Sequence, residues 1–130
     1  MTFGSQGTEA GQFSSDLADL AVDAQGNLYV TDRSIGLQKF DSSGQFVAKW
    51  ESCGDDKRMT GATGVATDSQ GNIYVYDLSN SRICKFDPDG NPLAAWGGLE
   101  NAVGFIAVDR QGDIYVAEPF NDLVKKFHQR

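Results

Sequence analysis

Carboxylates recur at one fixed place in this chain, and they are the first residues that could do chemistry. Asp32, Asp77 and Glu118 each follow a short apolar run: Leu28–Thr31, Ile73–Tyr76 and Ile114–Ala117. Three carboxylates gathered near one axis could coordinate a hard cation such as calcium, which makes them the weak metal candidates of the chain. The competing reading is structural, because an acidic residue ending a strand caps the next loop through its backbone N–H groups. We favour the second. Asp87-Pro88-Asp89-Gly90 looks like the start of a calcium loop, but no ligands follow at the needed spacing, so it is read as a turn. His128 is the single histidine, so acid–base catalysis would fall to carboxylates, and no catalytic pair can be located. Cys53 and Cys84 belong to no Cys-x-x-Cys or Cys/His cluster, which speaks against zinc. Free thiols are expected, with Cys84 packed in a strand and a disulfide as the open alternative. No cofactor and no catalytic residue are assigned.

The elements that position these residues come from a block written three times. AVDAQGNLYV at 21–30, ATDSQGNIYV at 66–75 and AVDRQGDIYV at 107–116 are each followed by the acidic residue and then a Lys-Phe pair. Self-similarity at this period, in units of four short strands, defines propeller blades. Small apolar runs (Leu20–Val22, Val65–Thr67, Ile106–Val108) suit crowded innermost strands. The Gly-Asn or Gly-Asp step after each supplies a positive-φ hairpin corner. Second strands at 28–31, 73–76 and 114–117 are rich in β-branched residues and tyrosine. Third strands at 37–40, 83–86 and 123–127 lead through a second glycine turn to a fourth strand ending in Trp50 or Trp96. Apolar residues on both faces of all four strands fit blades sandwiched between neighbours. No segment keeps a helical period.

Composition agrees with a folded, turn-rich β protein: 130 residues, 40% hydrophobic, 15 glycines and 3 prolines. The net charge of −7 repels phosphate backbones, so nucleic acid is a poor default partner. Lys57-Arg58 and Lys125-Lys126 are the adjacent basic pairs. No signal peptide precedes the repeats and no apolar run nears membrane-spanning length, so a soluble chain is expected, with no membrane partner and no compartment indicated.

Asp77-Leu-Ser-Asn80-Ser-Arg82-Ile83-Cys-Lys85-Phe86, after Gly71-Asn72-Ile73-Tyr74-Val75, resembles the NHL repeat. The resemblance runs along essentially the whole chain. Repeat two matches almost throughout; repeat one has Gly36-Leu37 where Arg-Ile is expected, and repeat three has Leu123 at the Arg position. The resemblance implies a six-bladed propeller, of which this chain supplies three blades. It also implies that Arg82 pairs structurally with neighbouring-blade acids.

The expected architecture is a single all-β domain, 1–130. Residues 1–13 form an outer strand and linker, 17–50 blade one, 63–97 blade two, and 104–130 blade three without its outer strand. Phe3 stands where Trp50 and Trp96 stand. An open third strand would be an aggregation-prone edge. Two chains arranged head to tail would make a ring of six, each N-terminal strand completing the partner's third blade. The first expected partner is therefore a second copy of the chain; the alternative reading is that the chain is half of a longer protein that supplies the other blades itself.

Ligands of propellers bind on the rim made by the connections, here 32–36, 77–82 and 118–122 plus the inter-blade segments 4–18, 51–63 and 97–104. At the entrance to strand one the family glycine is kept as Gly64 but replaced by Asp19 and Phe105. These two, with Arg33, Lys57, Arg58 and Phe120, are the candidate ligand-binding residues of the rim and channel mouth. Phe120 is read either as an exposed anchor or as tucked into its blade. The leading functional reading is a non-enzymatic scaffold that binds a protein or peptide on its loop-rich face. The alternatives are an enzyme similar to metal-dependent propeller lyases or lactonases, and an RNA-binding NHL domain. Too few channel ligands oppose the former, and the acidic charge opposes the latter.

Overall fold

In the computed structural model, residues 1–97, 99 and 105–128 are described. Eleven strands form among them. Blade one is β1 (Leu17–Val22), β2 (Leu28–Asp32), β3 (Gly36–Phe40) and β4 (Phe46–Trp50). Blade two is β5 (Ala62–Thr67), β6 (Ile73–Asp77), β7 (Arg82–Phe86) and β8 (Pro92–Trp96). Blade three is β9 (Phe105–Val108), β10 (Ile114–Glu118) and β11 (Leu123–Phe127). Each sheet is an antiparallel meander in chain order, with four, four and three strands. The innermost strands β1, β5 and β9 lie side by side. Single 3-10 turns at Leu78–Asn80 and Pro119–Asn121 are helical elements that the sequence pattern did not announce.

The repeated block builds the same local structure three times. The leading Asp of each inner turn accepts backbone N–H bonds from two and four residues on, Gln25 and Asn27, Gln70 and Asn72, or Gln111 and Asp113. It also accepts the hydroxyl of the tyrosine on strand two, at 3.2, 3.0 and 3.1 Å for Tyr29, Tyr74 and Tyr115. The Lys of the Lys-Phe pair, opposite in the register, lies over that ring at 5.5, 5.4 and 5.3 Å. A turn, a strand and a cross-strand pair are thus locked by three residues that recur in every copy.

Blades bury their faces against one another. Tyr29 and Leu37 of blade one meet Val65, Ile73, Val75, Cys84 and Phe86 of blade two. Tyr74, Tyr76 and Ile83 meet Ile106, Ile114 and Val116 of blade three. At roughly 1.5–3 kcal/mol for each fully buried large side chain, these seams outweigh any single polar contact. Trp50 stacks on Phe86 with ring centroids 6.2 Å apart, so the end of one blade covers the next. Phe3 does the same one blade earlier: it lies 5.2 Å from Phe40 and against Gly44, the counterparts of Phe86 and Gly90. Its equivalence to Trp50 is therefore visible in the packing, although residues 1–5 pair with no strand within this chain. The fourth strands depart from expectation. β4 and β8 are largely exposed, because the outer edge of a blade fans away from its neighbours.

Two expectations are corrected. Cys53 and Cys84 are joined in a disulfide, not free. Residue 84 points from β7 into the seam, and the connector after β4 folds back across it, bringing the two Cα atoms to 6.0 Å, inside the bridging range. The partners of Arg82 are also different: Asp77 in its own blade and Asp55 on the connector, not acids of a neighbouring blade.

Glycines separate two costs. Gly90 (φ 85°) lies under the Trp50 ring, where a Cβ would clash, whereas Gly112 (φ 84°) has nothing within 4 Å of that point. Gly112→Ala is expected to lose about 1–2 kcal/mol from the left-handed backbone alone. Gly90→Ala should lose about 1–3 kcal/mol more from overpacking. Urea unfolding of both variants measures the difference, and equal losses would contradict the seam described.

Candidate functional site

The register puts one set of loops at one end of every blade. Leu17 pairs with Asp32, Ala62 with Asp77 and Phe105 with Ala117, while β4 ends with Trp50 opposite Leu37. The strand two–three connections and the connector 51–61 therefore share an end, opposite the tight turns. All six candidate rim residues lie at this end. Asp19, Gly64 and Phe105 occupy equivalent places, each opposite the fourth residue of strand two. Of segment 97–104, only Gly97 and Leu99 are among the described residues, and 129–130 of blade three also lie outside them.

The three recurrent acids sit beneath this surface. Asp32, Asp77 and Glu118 are 0%, 0% and 1% exposed, and each draws donors from the loops above. Asp32 accepts from the Ser14 N–H at 2.8 Å and hydroxyl at 2.6 Å, and from the Ser34 N–H at 2.9 Å. Asp77 accepts from Asn80 Nδ2 at 2.8 Å and Arg82 Nε at 2.9 Å. Glu118 accepts from Asn121 Nδ2 and pairs with Lys125 Nζ, both at 3.0 Å. The backbone capping expected from the sequence holds for Asp32 alone; Asp77 and Glu118 accept from side chains and cap no backbone N–H of the turns that follow them. The acids do not converge on one another. Among the described residues, one group brings three possible metal ligands within 4.8 Å: Cys53, Asp77 and Cys84.

Charge on the connector is ordered by Arg82. Its guanidinium is gripped by Asp55 through two nitrogens and also donates to the Lys57 carbonyl at 3.2 Å. The hydrogen bond from Arg82 holds the Asp55 carboxyl below the usual range, and the Arg82 charge adds to the effect. Asn80 Nδ2 reaches the Arg58 carbonyl at 2.8 Å. The backbone of Lys57 and Arg58 is thus tied down while both residues stay exposed; Arg58 approaches Glu51 at 3.7 Å. Sequence reasoning missed Asp55 and Ser14, which belong to connectors outside the repeated block. The available signal was indirect: Gly36 stands where blade two has Arg82, so Asp32 needed another donor.

The remaining candidates divide. Asp19 is engaged, bridging blades by accepting the Val65 N–H at 3.2 Å. It also borders an apolar groove lined by Phe3, Phe13, Leu17, Leu28 and Val30. Arg33 is exposed. Phe105 is 56% and Phe120 73% exposed. Phe120 does not tuck into its blade: it sits in the middle of a 3-10 turn whose Asn121 is anchored on Glu118. Ser79, its counterpart in blade two, is exposed for the same reason. The geometry therefore offers aromatic and cationic groups spread across a fixed rim, in different blades, rather than one closed pocket.

Antiparallel meanders of four, four and three strands with their inner strands adjacent define a β-propeller-type repeat protein. Residues 59–86, which hold the first three strands of blade two, match the family model of the NHL repeat, as the sequence resemblance implied for repeat two. Among solved structures, the chain is similar to selenomethionine-substituted virginiamycin B lyase from Staphylococcus aureus, with a TM-score of 0.67 and 10% identity over 90% of this chain and 43% of that one. It is similar to the WD40 β-propeller domain of Doa1, with a TM-score of 0.67 and 17% identity over 88% and 37%. It is also similar to regucalcin, a calcium-binding protein from Agrobacterium tumefaciens, with a TM-score of 0.58 and 16% identity over 85% and 45%. At such identities the likeness is one of fold. The chain spans less than half the length of each. No curated protein matches the sequence.

Acid should undo this rim. A carboxyl whose pKa is lowered by folding contributes stability above its unfolded value near pH 4, and loses it as pH falls through the folded value. Asp55, lowered by Arg82, and Glu118, lowered by Asn121 and Lys125, are such groups. Thermal unfolding followed by circular dichroism should show Tm falling below about pH 4. Arg82→Met should begin lower at pH 7 and fall less steeply. A variant with the wild-type slope would refute the Asp55–Arg82 coupling.

Proposed function

We propose that this chain is an interaction scaffold that binds a polypeptide segment on its loop-rich end, with no chemistry performed on the ligand. The observation that carries this reading is the exposure of Phe120 and Phe105 on the same end as Arg33, Lys57 and Arg58. Exposed aromatic side chains, one of them held outward by an anchored turn, with cations elsewhere on the same end, suit a segment that presents apolar and acidic side chains. The recurrent acids are buried, hold donors from the loops above them and do not converge, which leaves a metal-dependent lyase or lactonase-like mechanism without support from the three together. An acidic protein is also a poor match for RNA.

The same reading includes ring closure by a second copy. Blade one leaves open the face carrying Leu20 (61% exposed), beside a groove that half-buried Leu28 and buried Val30 also line. Their counterparts Val65, Ile73 and Val75 are buried in the first seam. Blade three leaves open the face carrying Val124 (66% exposed), the counterpart of buried Ile83. The two open faces are thus the two halves of a seam the chain already forms twice. Packed together in two copies, with each N-terminal segment completing the partner's third blade, they would give six blades.

Peptide-library selection on the purified protein tests the first part. Enriched peptides should bind at least tenfold more weakly to a Phe105→Ala/Phe120→Ala double variant; unchanged binding, or no enrichment, would sink the reading. Light scattering tests the second, with twice the 14.1 kDa chain mass expected at micromolar concentration. Leu20→Asp should return the single-chain mass. A wild-type monomer would overturn closure by a second copy.

A further inference from the structure

We propose that Cys53, Cys84 and Asp77 form a redox-gated metal site: a disulfide when oxidised, and a binding site for zinc or a similar borderline cation when reduced. Three ligand atoms, one from each residue, lie within 4.8 Å of one another. A tetrahedral zinc with Zn–S near 2.3 Å and Zn–O near 2.0–2.2 Å puts its ligand atoms about 3.5–4 Å apart. Freed of the S–S bond, the sulfurs need little movement to reach that spacing, and Cα atoms 6.0 Å apart let both face one ion.

Asp77 is wholly buried, yet both of its donors, Asn80 and Arg82, bind Oδ2, and Oδ1 has no hydrogen-bond partner among the described residues. A buried unpaired carboxylate oxygen is costly, and a bound cation would satisfy it. Asn80 and Arg82 meanwhile hold the carboxylate in orientation, as outer-shell partners of a metal ligand do. Charge also closes: two thiolates and a carboxylate against a dication leave −1, beside the Arg82 guanidinium. Two soft sulfurs and one oxygen favour zinc over calcium or magnesium. Three protein ligands leave a fourth position for water. The spacing argument against zinc considered ligands near one another in sequence, whereas the fold gathers a connector, the end of β6 and the middle of β7.

Gating follows from exposure. Cys53 is half-buried and Cys84 fully buried, so a dithiol reductant would attack Cys53. The first exchange joins the reductant's sulfur to Cys53 and expels Cys84, which takes up a proton. The reductant's second thiol then closes its own disulfide and releases Cys53, also protonated. Two electrons pass to the protein and the dithiol is oxidised. Metal binding displaces the two cysteine protons.

Cobalt(II) is the probe. Protein reduced with a phosphine and desalted under argon should bind one equivalent, with a sulfur-to-cobalt charge-transfer band that zinc abolishes. Oxidised protein should show no such band. Cys53→Ser, which changes the half-exposed connector residue and leaves the strand intact, should weaken binding at least tenfold, and Asp77→Asn likewise. Near-ultraviolet circular dichroism reports whether each variant is folded. Absence of the band in folded reduced protein, equal binding by oxidised protein, or wild-type affinity in folded Cys53→Ser would overturn the site.

Discussion

A carboxylate out of reach of water at the end of each second strand must be hydrogen-bonded, and the loop end of this protein is arranged around that demand. Asp32, Asp77 and Glu118 occupy one structural position in three blades, yet each is satisfied by different donors. Ser14 and Ser34 serve blade one; Asn80 and Arg82 serve blade two; Asn121 and Lys125 serve blade three. Because these donors sit on the rim, the requirement fixes the rim. Arg82 in turn orders Asp55 and the Lys57 carbonyl, so a buried charge in a strand dictates the course of a surface connector two elements away.

Packing between blades supplies the stability on which such polar arrangements rest. A three-residue lock of Asp, Tyr and Lys gives each blade its hairpin, and its apolar faces then find the next blade. The seam is modular: Phe3 on Phe40 repeats Trp50 on Phe86. Modularity is also why open end faces carry meaning. A face whose counterpart is buried elsewhere in the same molecule has a known complement, which an arbitrary apolar patch lacks.

What could be read from the amino-acid sequence divides along the same line. Strands, turns, the inner-strand glycine position and the Phe3–Trp50 equivalence follow from self-similarity, because identical local chemistry repeated three times leaves little freedom. The structural reading of the acids has the same origin, although the backbone caps it implied form only at Asp32. The donors were not legible, because Ser14 and Asp55 lie in connectors with no counterpart in the other copies. The disulfide escaped for a related reason. Positions 53 and 84 are unrelated within their repeats, and only the crossing of the connector over β7 joins them. Whether Phe120 is exposed also needed the 3-10 turn, which no apolar periodicity marks.

The unequal solutions to one burial problem explain where this rim is free to vary. The acid itself cannot change without orphaning its donors, so change is confined to residues that donate without packing or pack without donating. In blade two the demand is only half met, since Asp77 receives both donors on one oxygen. Blade one hydrogen-bonds both oxygens of its acid, and blade three sets the Lys125 cation against the second oxygen of Glu118. The difference lies where the disulfide crosses, in the one blade whose third strand carries a cysteine facing the acid. A buried carboxylate that leaves one oxygen without a hydrogen bond, with two sulfurs within 4.8 Å of the group, has given up part of its structural function. That loss is understandable if the oxygen has a second occupant to serve.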